Sequence, residues 1–378
     1  MGGLGIYLHL PFCARRCDYC DFFVVVEGRR PASFLTTLHA EIAAAGALRA
    51  AWSVDSIYLG GGTPSAMQPE EIAAIMAETR AAFRVAQDAE ITLEANPEGV
   101  TPESAAAWRA AGVTRVSLGV QSLRDDVLRP RGRVYTGREA LEAARVLRRC
   151  GPEALSFDLI AGLPGESPES FRQGVGRLLE LEPDHMSVYL LETEESGKES
   201  ALSDAVRAGR ETLCAEEDLV TMYESAVAMI PAAGLPQYEI SNFARPGRAS
   251  RHNLKYWTGG DYLGLGPSAH SSLEGRRFAR PRDMAAWERQ VSRGEPGSDY
   301  TLPAQGQRLR EALILALRLT QGVDLPGLLA RNGLEKEESL ERSLRELVDD
   351  RLLEHRAGRL ALTRRGTLMS NEVFLRLL

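Results

Sequence analysis

Three cysteines, Cys13, Cys17 and Cys20, fall at CxxxCxxC spacing directly after the apolar run Gly5-Ile6-Tyr7-Leu8-His9-Leu10. Three thiolates crowded into one short loop can hold three corners of an iron–sulfur cube. A cubane has four irons, so one iron keeps an open coordination position. That makes the centre a chemical tool rather than a staple. Two simpler uses compete. A zinc knuckle wants four ligands, and no fourth cysteine follows closely. A disulfide would strand one thiol and suits a secreted chain.

Bulk properties favour a reducing cytoplasm. The chain has 378 residues and only five cysteines, of which Cys150 and Cys214 are expected as small buried apolar residues. Its length suits two or three domains. A net charge of −7 argues against a nucleic-acid binder. No apolar run approaches the roughly 18 residues of a membrane span. The opening residues enter a strand at once, which leaves no room for a signal peptide.

Periodicity places strands at Ile6–His9, Val54–Leu59, Glu90–Glu94, Arg115–Val120, Leu155–Ile160 and His185–Leu190, with helices between them. Such alternation means βαβ units and a parallel sheet. Right-handed crossovers curl it into part of a barrel, with an open doubly wound sheet as the alternative. Ligands bind at the carboxyl ends of parallel strands. Those ends carry the cysteine loop, Gly60-Gly61-Gly62-Thr63, Glu94, Gln121 and Asp158.

The second half reads differently. Ser196 to Glu217 is polar and is expected to be a loop or lid with a helical end, followed by a helix to Ala233. From Gln237 to His270 the density of Gly, aromatic and His residues suits a loop region beside a flat ligand better than a plain helix. After Pro303 come amphipathic helices, a hairpin turning near Gly358 and a short last helix. Helices followed by a hairpin predict a winged-helix-like module, and the global acidity favours a packing or partner role over DNA.

Taken together, these motifs resemble the radical S-adenosylmethionine (SAM) superfamily, and within it the branch of oxygen-independent coproporphyrinogen III dehydrogenase and the heme chaperones. The marks are CxxxCxxC with Tyr19 before the last cysteine, Gly60-Gly61-Gly62-Thr63-Pro64 and Asp158-Leu159-Ile160-Ala161-Gly162-Leu163-Pro164-Gly165. The resemblance covers essentially the whole chain. It implies an α/β fold with a radical SAM (β/α)6 partial barrel over residues 1–235, a connecting region over 236–302 and a C-terminal α+β winged-helix-like domain over 303–378.

It also implies cofactors. Cys13, Cys17 and Cys20 would hold a [4Fe–4S] cluster, and SAM would chelate its fourth iron. Cluster-driven cleavage of SAM to a 5′-deoxyadenosyl radical is the superfamily's chemistry. Tyr7, Tyr19, Gly61, Gly62, Thr63, Glu94, Gln121, Arg133 and Asp158 match SAM positions, the last three matching a second SAM in the dehydrogenase. That enzyme has a fourth cysteine where this chain has Phe22. The chaperones carry HNxxYW, here His252-Asn253-Leu254-Lys255-Tyr256-Trp257. The match implies His252 as a ligand to heme iron, Tyr256 and Trp257 against the porphyrin, and Arg245, Arg248 and Arg251 near the propionates. The implied function is binding heme and handing it to an acceptor protein, with oxidative decarboxylation of coproporphyrinogen III as the alternative. No nucleic acid and no membrane span enter this picture; peripheral membrane contact and the choice of monomer or dimer stay open. One departure stands out. Arg131 and Tyr135 occupy places where the branch usually has an apolar residue and a histidine.

Overall fold

The computed structural model describes residues 3–26, 31–49, 51–191, 200–295, 297–299, 305–334 and 336–378. Strands β1 (Leu4–Leu10), β2 (Ser53–Gly61), β3 (Arg84–Ala95), β4 (Arg115–Gln121), β5 (Ala154–Ala161) and β6 (His185–Leu190) lie side by side in chain order, all parallel. Helices α1 (Phe34–Arg49), α2 (Pro69–Ala82), α3 (Pro102–Ala110), α4 (Gly137–Cys150) and α5 (Pro168–Leu179) fill the crossovers. Sequential strand order with right-handed crossovers keeps the helices on one face, as in a barrel, and not on both faces as in a doubly wound sheet. The helix starts are written locally. Pro69, Pro102 and Pro168 open their helices, and Thr101, Thr136 and Ser167 cap theirs through side-chain oxygens.

The sheet stays open. Helices α6 (Ala201–Arg207) and α7 (Glu216–Ala232) follow β6, and β7 (Asn242–Ala244) then adds to β6 antiparallel. After helix α8 (Arg251–Thr258), strand β8 (Tyr262–Leu265) pairs parallel to β1 on the opposite edge. β9 (His270–Leu273), β10 (Arg276–Ala279) and β11 (Ser298–Asp299) extend that edge, giving eleven strands. Residues 236–302 therefore supply five of the strands and do not merely connect. Two segments differ from expectation. The HNxxYW stretch is a helix, α8, because Ser250 Oγ accepts from Asn253 N and Gly259 ends it at φ +71°. Helix α9 (Met284–Ser292) also lies where no helix was expected. Of the lid expected over 196–217, residues 196–199 lie outside the described residues, and α6 forms the part that follows.

The C-terminal part has its own apolar core. Helices α10 (Gln305–Leu317), α11 (Leu325–Arg331) and α12 (Glu338–Asp349) precede the hairpin β12 (Leu353–Arg356) and β13 (Arg359–Leu362). Leu340, Leu344 and Leu347 of α12 and Leu309, Leu313 and Leu317 of α10 all belong to that core. A bridge from Val323 to Leu360 adds a third extended segment beside the hairpin, completing the expected winged-helix-like order.

Candidate functional site

The cysteine loop leaves β1 through Phe12–Cys13, which pairs with Val25–Val26 and so closes the loop at its base. Cys13, Cys17 and Cys20 are free and half-buried. A turn from Cys20 N to Cys17 O, 3.3 Å, brings the last two together. Burial pushes the Cys13 thiol up to about 11; the neighbouring Cys20 and Cys17 push the same way, and the Thr63 hydroxyl, 3.4 Å from Sγ, opposes. Among the described residues no three ligand side chains converge on a single ion. A cubane asks for less convergence, because each thiolate meets a different iron.

The glycine turn at the end of β2 is fitted to this loop. Gly62 N donates to Leu10 O at 2.9 Å and Thr63 N to Phe12 O at 2.7 Å. Gly61 has φ +105°, and a Cβ there would lie 2.5 Å from His9; one on Gly62 would lie 2.5 Å from the Pro11 carbonyl carbon. Only glycine permits that approach. Glu94, at the end of β3, accepts from Tyr58 Oη at 2.8 Å and from Gly61 N at 3.1 Å. Burial lifts its carboxyl to about 7, aided by the charge of Asp158. Tyr7 Oη donates to His9 Nδ1 at 3.0 Å, and His9 Nε2 donates to Phe23 O at 3.0 Å. Burial holds His9 down at about 4, so it is neutral with both nitrogens committed, and it does not serve as a fourth ligand.

The next strands add polar groups to the same face. β4 ends in a bulge, where Gly119 opposes Asp158 and Gln121 opposes Leu159, with Gln121 at φ +63°. Tyr135 Oη braces the bulge by donating to Gly119 O at 2.7 Å. Asp158 accepts from Ser117 Oγ at 2.8 Å, and burial raises its carboxyl. Its Oδ1 is buried and makes no well-aligned hydrogen bond, while the Ser187 and Ser156 hydroxyls, with Ser117, oppose the rise. Arg133 Nε donates to Tyr19 Oη at 2.8 Å and Nη1 to Asn96 Oδ1 at 2.9 Å. Asn96 Nδ2 in turn reaches Thr63 Oγ1 at 3.2 Å.

The HNxxYW residues lie at the opposite end. α8 crosses the amino ends of β1–β3, where Lys255 pairs with Asp55 at 2.8 Å and Arg251 with Asp88 at 3.1 Å. His252 is 0% exposed. Its Nδ1 meets Ser56 Oγ at 3.2 Å and its Nε2 meets Tyr256 Oη at 2.9 Å. The ring fits because Gly5 carries no Cβ, which would stand 3.2 Å from it. Burial pulls its pKa down to about 3. Trp257 packs under the Arg318 guanidinium, 4.4 Å from the ring centroid, which ties α8 to the C-terminal part. Arg248 pairs with Glu153, and Arg245 Nε donates to Pro183 O at 3.0 Å. The residues expected as heme ligand, ring shelf and propionate partners are thus packed into a joint in this conformation, with the His252 ring committed on both nitrogens and Trp257 Nε1 buried without a hydrogen-bond partner.

A family model described as the radical SAM superfamily matches residues 7–175, and one described as the HemN C-terminal domain matches 305–369. Heme chaperone HemW of Mycobacterium tuberculosis is 38% identical over 98% of this chain and 93% of its own length. Heme chaperone HemW of Bacillus subtilis is 31% identical over 97% of both. The chain belongs to the HemW heme-chaperone family of the radical SAM superfamily. A solved structure titled as coproporphyrinogen III oxidase (HemN) from Escherichia coli superposes with TM-score 0.84 over 99% of this chain and 90% of that one, at 23% identity, and supports the fold alone.

As a HemW-family chain, its upper end fits the superfamily's cofactors on three observations. Half-buried thiols are gathered in one loop. Glycines leave a cradle that a Cβ would fill. Two buried carboxyl groups, Glu94 and Asp158, have their proton affinity raised by burial, and the charge of Asp158 adds to the rise at Glu94, as at a waiting cation site. His9, Tyr58 and Asn96 were missed. The period-2 rule finds them, since Tyr7 and His9, Tyr58 and Gly60, and Glu94 and Asn96 share one face of their strands.

Proposed function

We propose that this chain is a cytoplasmic heme chaperone that binds heme and passes it to an acceptor protein. The observation that carries this reading is the near-full-length identity to the M. tuberculosis and B. subtilis heme chaperones. Phe22, 62% exposed, stands where the dehydrogenase branch has its fourth cysteine, which favours the same choice. Cys13, Cys17 and Cys20 would hold a [4Fe–4S] cluster, with the Thr63 hydroxyl beside Cys13. Tyr7, Gly61, Gly62 and Glu94 would seat SAM, Glu94 accepting from its ammonium. Tyr19, Gln121, Arg133 and Asp158 complete the wall. When bound, the cluster supplies one electron to the sulfonium. The chain's own part is to orient that nucleotide and exclude water.

His252 is the ligand that the family motif suggests for heme iron. It can serve only after α8 lifts from Ser56 and Glu90, because both ring nitrogens are committed in the closed state. One anaerobically reconstituted sample tests these readings. Stoichiometric heme binding, with transfer to an apo-heme protein, is the expected result. Turnover of coproporphyrinogen III with SAM and reductant would replace the chaperone reading with the enzymatic one. Heme binding that survives unchanged in His252→Ala would move the heme site elsewhere.

A further inference from the structure

The loop between β4 and α4 grips the cysteine loop with three consecutive residues. Arg131 Nη1 lies 3.1 Å from Asp18 Oδ2. Gly132, at φ +80°, lies so close that a Cβ would stand 3.1 Å from Arg16 O and 3.4 Å from the Cys17 Cα. Arg133 reaches Tyr19 Oη at 2.8 Å. Three consecutive residues thus touch residues 16–19 of the cluster loop.

Arg131 has a second partner. Its Nη2 pairs with Glu211, which lies in the segment between α6 and α7. Helix α6, which leads into that segment, already rests on the cysteine loop, since Leu202 N donates to Asp18 O at 2.8 Å and Leu202 is buried. The Arg131 guanidinium is 5% exposed, with Asp18 on one side and Glu211 on the other. The two carboxylates are near enough to feel each other's charge. Without the cation between them, attraction becomes repulsion, and a buried charge is left unpaired.

We propose that Arg131 is a positioning residue that clamps residues 200–215 onto the cysteine loop and, with Arg133, supplies positive charge beside the cluster site. The inference deepens the proposed function, because the cluster itself rests on that reading. The clamp is made by the chain's own side chains. An apolar residue at this place would leave Asp18 and Glu211 facing each other. A second positive charge would be missing from a loop that already carries three thiolates when loaded. Outer partners of this kind tune both the retention and the potential of a metal centre.

Arg131→Met keeps side-chain length and removes the charge, whereas Arg131→Lys restores the charge. In the cofactor-free protein, hydrogen exchange is followed across residues 13–20 and 200–215. Exchange in Arg131→Met is expected to rise in both segments together, by about tenfold for a loss on the scale of one charge-assisted hydrogen bond. Glu211→Gln is expected to raise it in 200–215 alone. After reconstitution, Arg131→Met should release iron to a chelator about tenfold faster than wild type. Its midpoint potential should be more negative, and Arg131→Lys should bring the potential back. A purely structural arginine would not move the potential or be rescued by charge. Unchanged exchange in both segments overturns the clamp, and an unchanged potential overturns the electrostatic part. Wild-type protein that takes up no iron or sulfide overturns the cluster reading, while the exchange data still decide the clamp.

Discussion

The two ends of the parallel sheet hold the same residue types in opposite states. At the amino end, Glu90 accepts from Arg115 at 2.8 Å and from Ser250 Oγ and His252 N at 3.3 Å each, and His252 uses both ring nitrogens, although Arg115 Nε and Nη1 are buried without a hydrogen bond. At the carboxyl end the Ser187, Ser117 and Ser156 hydroxyls attend Asp158, but among the described residues neither Asp158 nor Glu94 is in an ion pair. Native interiors satisfy their polar groups almost everywhere. Two buried carboxyl groups without a paired cation, beside glycines, therefore mark a place built for something else. A carboxylate and a histidine that are fully paired, as Glu90 and His252 are, hold a joint together in this conformation.

The largest effect that could break this contrast lies at the cysteines. Cys13→Ala should abolish bound iron and sulfide in reconstituted protein. The cofactor-free protein should lose no more than about 1 kcal/mol, because the thiol is half-buried and bonds only weakly to Thr63. Elemental analysis and thermal unfolding on the same variant read both. Retention of a full cluster would remove the ligand-binding role from this end.

His252→Ala probes the other end and should do the reverse. Removing a side chain with no exposure, and stranding Ser56 and Tyr256, should cost about 3 kcal/mol in equilibrium unfolding. The pH sign follows from its lowered folded value. The contribution is full above the ordinary 6.5 and is lost as pH falls toward about 3. Wild type should therefore weaken on acidification in that window more than the variant does. A variant of unchanged stability that no longer binds heme would make this end a site after all.

Why the two ends were not equally legible has a physical answer. Strand placement followed from period-2 patterns and helix caps, and the cysteine spacing and glycine turn survive in three dimensions because both are local. The helical, buried setting of HNxxYW was not legible, because its environment is assembled from Gly5, Ser56 and Glu90, far away in sequence. The seventh parallel strand, β8, was hidden for a similar reason. Tyr262-Leu263-Gly264-Leu265 is short and glycine-bearing, and it becomes a strand by pairing with β1. Gly264 fits there because a Cβ would stand 2.2 Å from the His270 carbonyl oxygen.

Glu94→Gln sharpens the account of the carboxyl end with a smaller effect. Removing the charge that would meet an ammonium should weaken SAM binding about tenfold. The folded carboxyl is raised from 4.5 to about 7, so the fold binds this proton more tightly than the unfolded chain does. Its contribution to stability is present below 4.5 and is lost as pH rises toward about 7. SAM affinity should run the other way and strengthen as the carboxyl ionises through that same range. Calorimetric titration across it should give a slope in wild type and a flat line in Glu94→Gln.

The smallest effect expected belongs to Tyr135, which stands where the related branch usually has a histidine. Its hydroxyl donates to Gly119 O at 2.7 Å and lies 3.2 Å from Val120 O, the carbonyls that the bulge before Gln121 turns away from the ladder. Tyr135→Phe leaves those buried acceptors short of a donor and should cost about 1 kcal/mol in chemical denaturation. A loss of that size should come with freer exchange at residues 119–121, because the left-handed Gln121 depends on its neighbours to hold it. Tyr135→His puts a ring N–H near the same carbonyls and should recover part of the loss. If Phe is neutral and His is damaging, the residue acts through its ring against Arg133, 5.7 Å from the centroid, and the bulge holds itself.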